Sequence, residues 1–293
     1  MDHLLDRALA TMRARGLRQR TQEAYLAWMR RFLAAGDAVG EAQVARFLSG
    51  LNSSPATRDQ ALRALVFLCR DVAGIPTSFV NDVFADRSAP RPPVVLTREE
   101  IAATLARMNE PARLMATLLY GAGLRLLECC ALGVQNVDFQ NSCLLGRAPL
   151  PISTREALAS QLEAARRLRE SDSRNGVAAW SWVFPSDNVY VDRATRQRRR
   201  HHLHETVLQK AFAQARLAAG IEKPASCRTL RHSFAAHLLE AGCPPDRVRE
   251  MLGHADLRGV RRLDAHLCRS PRGLSATGPQ PFPCENRWND IHF

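Results

Sequence analysis

Between residues 21 and 35, apolar side chains recur at Tyr25, Trp28, Met29, Phe32 and Leu33, with Arg30 and Arg31 off that face. This i, i+3, i+4, i+7, i+8 spacing places one stripe along a helix. Val44, Phe47, Leu48 and Leu51 repeat the spacing and predict a second helix. A third starts at Ser54-Pro55. There a serine can accept a hydrogen bond from the first turn, and a proline costs nothing because first-turn N–H groups lack helical partners anyway. Its apolar positions run through Leu62, Leu65, Val66 and Cys69, and Gly74 is suited to end it. Short amphipathic helices of this kind must bury their stripes against one another, so residues 1–88 are expected to form a small helical bundle.

The pattern breaks at Asp86-Arg-Ser-Ala-Pro-Arg-Pro-Pro-Val-Val95, a proline-rich basic stretch suited to an extended linker, assigned to residues 89–95. Thr97 and Glu100 then form a capping box ahead of a new helix. A second, larger domain is expected over residues 96–270, mostly helical, with two or three small strands between Val137 and Leu150. Trp180-Ser-Trp182-Val-Phe184-Pro185 reads as a strand or an aromatic loop. The fold class is therefore mainly α with a small β-sheet (α+β). After Leu257 the composition turns to arginine, glycine and proline, and residues 271–293 are expected to be a disordered tail.

Charge narrows the choice of partner. Lys plus Arg number 41 against 29 Asp plus Glu, a net charge of +12. Such an excess favours a polyanion, because each neutralised phosphate releases condensed counterions. Only Lys210 and Lys223 are lysines, so a lysine required for chemistry has few places to be. The eight cysteines form no Cys-x-x-Cys pair and no histidine follows at zinc-finger spacing, which predicts neither a metal site nor a disulfide framework. No apolar run has the roughly 18 residues of a membrane span, and the N-terminus lacks signal-peptide features. A cytoplasmic protein without a membrane partner is the expectation.

Three stretches carry candidate chemistry: Leu119-Tyr-Gly-Ala-Gly-Leu-Arg125-Leu-Leu-Glu128, Arg228-Thr-Leu-Arg231-His232-Ser-Phe-Ala-Ala-His237, and Met251-Leu-Gly-His254-Ala-Asp256. Singly, each is a common turn or helix start. In this order and spacing they resemble the tyrosine recombinases, or phage-type integrases, over residues 5 to 257. Arg20-Thr-Gln-Glu-Ala-Tyr25, Pro93-Val-Val-Leu-Thr-Arg-Glu-Glu100 and the segment 170–204 bring the likeness closest to the integron integrases. Residues 193–200 of that segment hold five arginines, and His201, His202 and His204 come after them.

The resemblance implies an N-terminal SAM-like core-binding domain and a larger catalytic-type domain that clamp DNA together, with an integron-type insertion at about 170–204 that helps hold bases projecting from a folded strand. It implies a tyrosine oxygen attacking a phosphodiester to give a phosphotyrosine. Guanidinium groups would hold the phosphate oxygens, and lysine and histidine would move protons. Because the phosphate linkage is conserved, neither a metal nor another cofactor is needed, and no small-molecule substrate is implied. Arg125, Arg231 and His254 match family positions. Arg193, Arg196, Arg198, Arg199, Arg200, Trp180 and Trp182 are the DNA-contacting candidates of the insertion. The partner is DNA, with oligomers on recombination sites and folded single-stranded cassette sites within range.

Three family positions depart from the pattern. Arg228 stands where a histidine is usual, and it cannot act as a base. The hairpin between Val137 and Leu150 holds no lysine, Arg147 being its nearest basic residue and a poor proton donor. Leu263 stands at the nucleophile position, nine residues after His254; Tyr25, Tyr120 and Tyr190 all lie upstream of the second motif. The spacing of Pro271-Arg272-Gly273 fits decay by substitution, whereas the arginine- and proline-rich ending fits a frameshift after about Leu257. Three roles are open to such a chain: a DNA-binding relative that does not cleave, a competitor or regulator of an intact integrase, or a subunit active only beside an intact recombinase.

Overall fold

The structure is a computed structural model, and it describes residues 2–36, 39–76 and 93–253. His254, Leu263, the tail and most of the proline-rich linker lie outside the described residues. The chain divides into two compact units, Met1–Pro90 and Arg91–Phe293.

The first unit packs α1 (Asp2–Ala14), α2 (Gln19–Ala34), α3 (Glu41–Ser49) and α4 (Pro55–Phe67) around one apolar core. On α2 the stripe lies inward as its spacing requires: Met29 and Phe32 are fully buried, and Tyr25, Trp28 and Leu33 pack against the core edge. Leu26 is buried as well, widening the face beyond the expected positions. The Ser54 hydroxyl accepts from Thr57 N at 3.2 Å, the cap expected at the start of α4. Instead of stopping, α4 continues through a wider π turn, Leu68–Ala73, which buries Leu68, Cys69 and Val72. Gly74 ends it at φ +70°. The extra helix α1 contributes Leu5, Ala8 and Met12, and Arg7 ties it to the Val72 carbonyl at 2.7 Å.

The second unit holds α5 (Arg98–Leu105), α6 (Ala112–Gly121), α7 (Leu126–Cys130), α8 (Arg155–Arg174), α9 (Glu205–Ala218), α10 (Cys227–Glu240) and α11 (Pro245–Leu252). The Thr97–Glu100 capping box forms in both directions, at 3.2 and 2.8 Å. Helices α6 and α10 are the most deeply buried, and they carry the start of the first motif and the whole of the second into one core. Two small antiparallel sheets complete the unit: β1 (Val137–Asp138), β2 (Cys143–Leu144) and β3 (Ala148–Pro149) in sequence order, and the hairpin of β4 (Pro185–Val191) and β5 (Arg198–His202). The mainly helical α+β expectation is met. The stretch 170–204 does not begin at an element boundary, because α8 runs on to Arg174; the aromatic segment and the β4–β5 hairpin come after that helix.

Candidate nucleic-acid interface

Arg125 caps the short helix α7, and Arg231 lies in α10, 106 positions further along the chain. The fold brings both to one carboxylate, Glu128. Arg125 Nη1 lies 2.6 Å from Glu128 Oε1, and the Arg125 backbone N–H donates to Oε2 at 2.8 Å. Arg231 Nη1 is 3.8 Å from Oε2. A third guanidinium joins them: Arg147, in the β2–β3 turn, places Nη2 2.8 Å from Oε1. Glu128 had no role assigned from sequence, although its position three residues after Arg125 is the spacing of a helical ion pair. Arg147 was legible only as the hairpin's nearest basic residue.

Backbone carbonyls orient the same arginines. Arg231 donates to Gly123 O at 2.6 Å and Leu252 O at 2.7 Å, and Arg125 Nη2 donates to Gly253 O at 2.9 Å. Gly123 and Gly253 have φ of +62° and +60°, in the left-handed region. A Cβ on Gly123 would lie 2.6 Å from the Phe234 ring, and one on Gly253 would run into the Arg147 guanidinium. The glycines of the first and third motifs therefore let the backbone approach closely enough for arginines to reach its carbonyls.

The electrostatics result from this crowding. Burial, then the charge of Arg125, pushes Arg231 down to about 10, with Arg147 adding to the effect and Glu128 opposing it. Burial works to raise Glu128, but the Arg125 N–H and the Arg125 and Arg147 guanidiniums outweigh it and hold the carboxyl below its ordinary range. Among the described residues the cluster holds three cations and one anion, and Arg125 is 45% exposed. Arg228 is exposed on the first turn of α10. His232 is half-buried, and burial and the neighbouring Arg228 and Arg231 lower its pKa.

His237, the last residue of the second motif, is structural. It is buried, its Nδ1 lies 2.8 Å from the Tyr120 hydroxyl, and burial lowers its pKa to about 4. Tyr120 is likewise buried, and its phenol is shifted up by burial, the wrong direction for a nucleophile. A histidine depressed in the folded state stabilises fully above its unfolded pKa and loses that contribution as pH falls through the folded value. Between about pH 6.5 and 4 the second unit is expected to lose on the order of 3 kcal/mol through His237. Urea unfolding across this window should show a positive slope that His237→Phe reduces; an unchanged slope would rule out His237 as its source.

The insertion candidates divide into two groups. Arg193, Arg196 and Arg198 are exposed around the hairpin tip, with Arg198 also donating to Asn175 O at 2.8 Å. Arg199 is partly buried and pairs loosely with Asp192 at 3.7 Å. Arg200 is engaged within the protein. Its Nε and Nη2 fork onto Asp172 at 2.6 and 2.8 Å, its Nη1 donates to the Ser186 and Asp187 carbonyls, and its side chain is 7% exposed. The Trp180 indole N–H donates to Asp172 at 2.8 Å. What it offers is a wall: with Trp182, Leu162, Arg166 and Arg169 it lines a groove of about 310 Å³ beside α8. Trp182 also contacts the rings of His201 and His202 at 5.9 and 5.3 Å.

Two helical units in sequence, the second with two small sheets and three arginines around Glu128, have the architecture of the phage-type integrases. Residues 94–266 match the phage integrase family, and residues 4–78 match the phage integrase N-terminal SAM-like domain. An integrase/recombinase of Escherichia coli is 34% identical, across 81% of this chain and 82% of the relative. The tyrosine recombinase XerA of Thermococcus onnurineus is 29% identical across 80% of each chain. Among solved structures, a lambda integrase dimer bound to a COC′ core site aligns with a TM-score of 0.63 at 17% identity, covering 94% of this chain and 80% of that one. XerH site-specific recombinase bound to a palindromic difH substrate aligns at 0.59, with 19% identity, 87% of this chain and 79% of that one. The chain belongs to the phage integrase family of site-specific tyrosine recombinases.

Proposed function

We propose that this protein binds recombination-site DNA and does not cut it. The convergence of Arg125 and Arg231 on one solvent-facing pocket supports the binding half, since two planar forks can grip the non-bridging oxygens of a backbone phosphate. His254 comes directly after Gly253, whose carbonyl Arg125 holds, and is assigned to the same phosphate. The sequence supports the other half. Leu263 offers no oxygen at the nucleophile position, Arg228 cannot relay a proton, and Arg147 cannot replace a lysine as an acid at neutral pH.

The DNA we assign is the integron type. The exposed Arg193, Arg196 and Arg198 would track the backbone, and the groove walled by Trp180 and Trp182 would take an unstacked base. On such sites the protein would assemble as an oligomer in the cytoplasm, where it would compete with an intact integrase. A nicked suicide substrate carrying an integron-type site tests the reading. The expected result is a shifted complex on a native gel and no adduct surviving SDS. A covalent adduct would overturn the assignment of Leu263, and absence of any shift would overturn DNA binding.

A further inference from the structure

Two residues of the three-stranded sheet hold backbone angles that side chains with a Cβ rarely adopt: Ser142 at φ +50° and Leu145 at φ +54°. The first ends the β1–β2 turn and the second begins the β2–β3 turn, with only Cys143 and Leu144 between them. Arg147 lies in that second turn, and its Nη2 reaches Glu128 Oε1 at 2.8 Å. Its reach is therefore set by a strand two residues long with an unfavourable angle at each end. Such angles persist only where the surroundings over-determine them.

At Ser142 that constraint comes from outside the sheet. Arg155, the first residue of α8, donates from Nη1 to the Ser142 hydroxyl at 2.8 Å and from Nη2 to the Phe139 carbonyl at 2.6 Å. Its guanidinium carbon lies 5.6 Å from the centre of the Phe139 ring. The Ser142 carbonyl accepts from Leu150 N at 2.8 Å, just past β3. One planar fork thus joins both ends of the β1–β2 turn, and a helix of 20 residues anchors it. An ammonium on a flexible stem would not hold two acceptors in a fixed relation.

We propose that Arg155 is a positioning residue for DNA binding: by clamping the β1–β2 turn it fixes the β2–β3 turn, and so aims Arg147 at the site shared by Arg125 and Arg231. That role rests on the DNA-binding reading above and falls to a residue outside the three motifs. A clamp that only stabilised the sheet would act on DNA affinity in the same way whatever residue stood at position 147. A positioning clamp acts through Arg147 and has nothing to aim once that guanidinium is gone.

The full chain would be titrated against integron-type site DNA by fluorescence anisotropy at fixed salt, as wild type, Arg155→Met, Arg147→Met and the double variant, each shown to be folded by its urea transition. Arg147→Met should weaken binding about tenfold, the loss of one charge-assisted contact. Arg155→Met should weaken it by about three- to tenfold in the wild type but by less than about twofold in the Arg147→Met background, the non-additivity of two coupled sites. Ser142→Gly separates the clamp from the charge of Arg155. It removes the clamped hydroxyl, changes no charge and accepts a left-handed φ freely, so it should keep the urea midpoint yet lose affinity only where Arg147 is present. If Arg155→Met does not fold, Ser142→Gly with and without Arg147 decides the matter. Affinity unchanged by either clamp variant, or reduced equally with and without Arg147, would overturn the proposal while leaving DNA binding in place. A wild type that does not bind the site would remove the DNA-binding reading and the positioning role with it.

Discussion

Replacing Asp172 by alanine is expected to destabilise the second unit by about 3 to 5 kcal/mol, the cost of leaving a buried charge without its partner. Asp172 accepts both arms of Arg200 and the indole N–H of Trp180, and the Asp172 and Arg200 side chains are each 7% exposed. Without the carboxylate, a guanidinium and an indole N–H stay buried with donors to satisfy. Asp172 is also held below the ordinary carboxylate range, chiefly by the Arg200 hydrogen bond, so its contribution is complete above the unfolded pKa and fades as pH falls below it. Urea midpoints for Asp172→Ala, Arg200→Met and the double variant would form a cycle. The double variant should recover much of the loss, because removing a whole buried pair costs far less than orphaning one member. A loss under about 1 kcal/mol for Asp172→Ala would show that the pair is solvated in solution.

Arg231→Met should behave in the opposite way, with a small change in stability and a large loss of DNA affinity. Two terms compete in stability. The Gly123 and Leu252 carbonyls lose donors at 2.6 and 2.7 Å, about 1 to 3 kcal/mol each if they stay dry. Against this, the variant removes a charge that the fold disfavours: a pKa pushed down to about 10 from the ordinary arginine value corresponds to roughly 3 kcal/mol at neutral pH. The two nearly cancel. Nothing cancels the loss of a charge-assisted fork to phosphate, so affinity for site DNA should fall by about 10- to 100-fold. Parallel gel-shift and urea titrations would separate the effects. Equal DNA affinity in wild type and variant would remove Arg231 from the interface.

Two buried arginine side chains are held in different ways. Arg200 and Arg231 make the contrast. Arg200 has a matching carboxylate fork and a raised pKa, whereas Arg231 donates to the Gly123 and Leu252 carbonyls and burial lowers its pKa. The first pins the hairpin to the end of α8. The second ties α10 to the backbone at Gly123 and Leu252.

The sequence by itself determined the local parts of this protein. The period of Tyr25, Trp28, Met29, Phe32 and Leu33, the Ser54 cap and the Thr97–Glu100 box act within one or two helical turns, so residue types and spacing were enough. Motif order likewise marked Arg125 and Arg231, and the residues present excluded a tyrosine at position 263. Tertiary structure decided which arginines are available. In the run from Arg193 to Arg200 neighbouring arginines look alike, and only the fold sets Asp172 against Arg200 while Arg193 and Arg196 stay in solvent. Only the fold, too, carries Arg147 from a short hairpin to a carboxylate 19 positions away in the chain and adds Arg231 from 103 positions beyond it. The reason is physical. Helix periodicity and capping are set by near neighbours, whereas burial and ion pairing of a charged side chain depend on which distant segment the core brings alongside it.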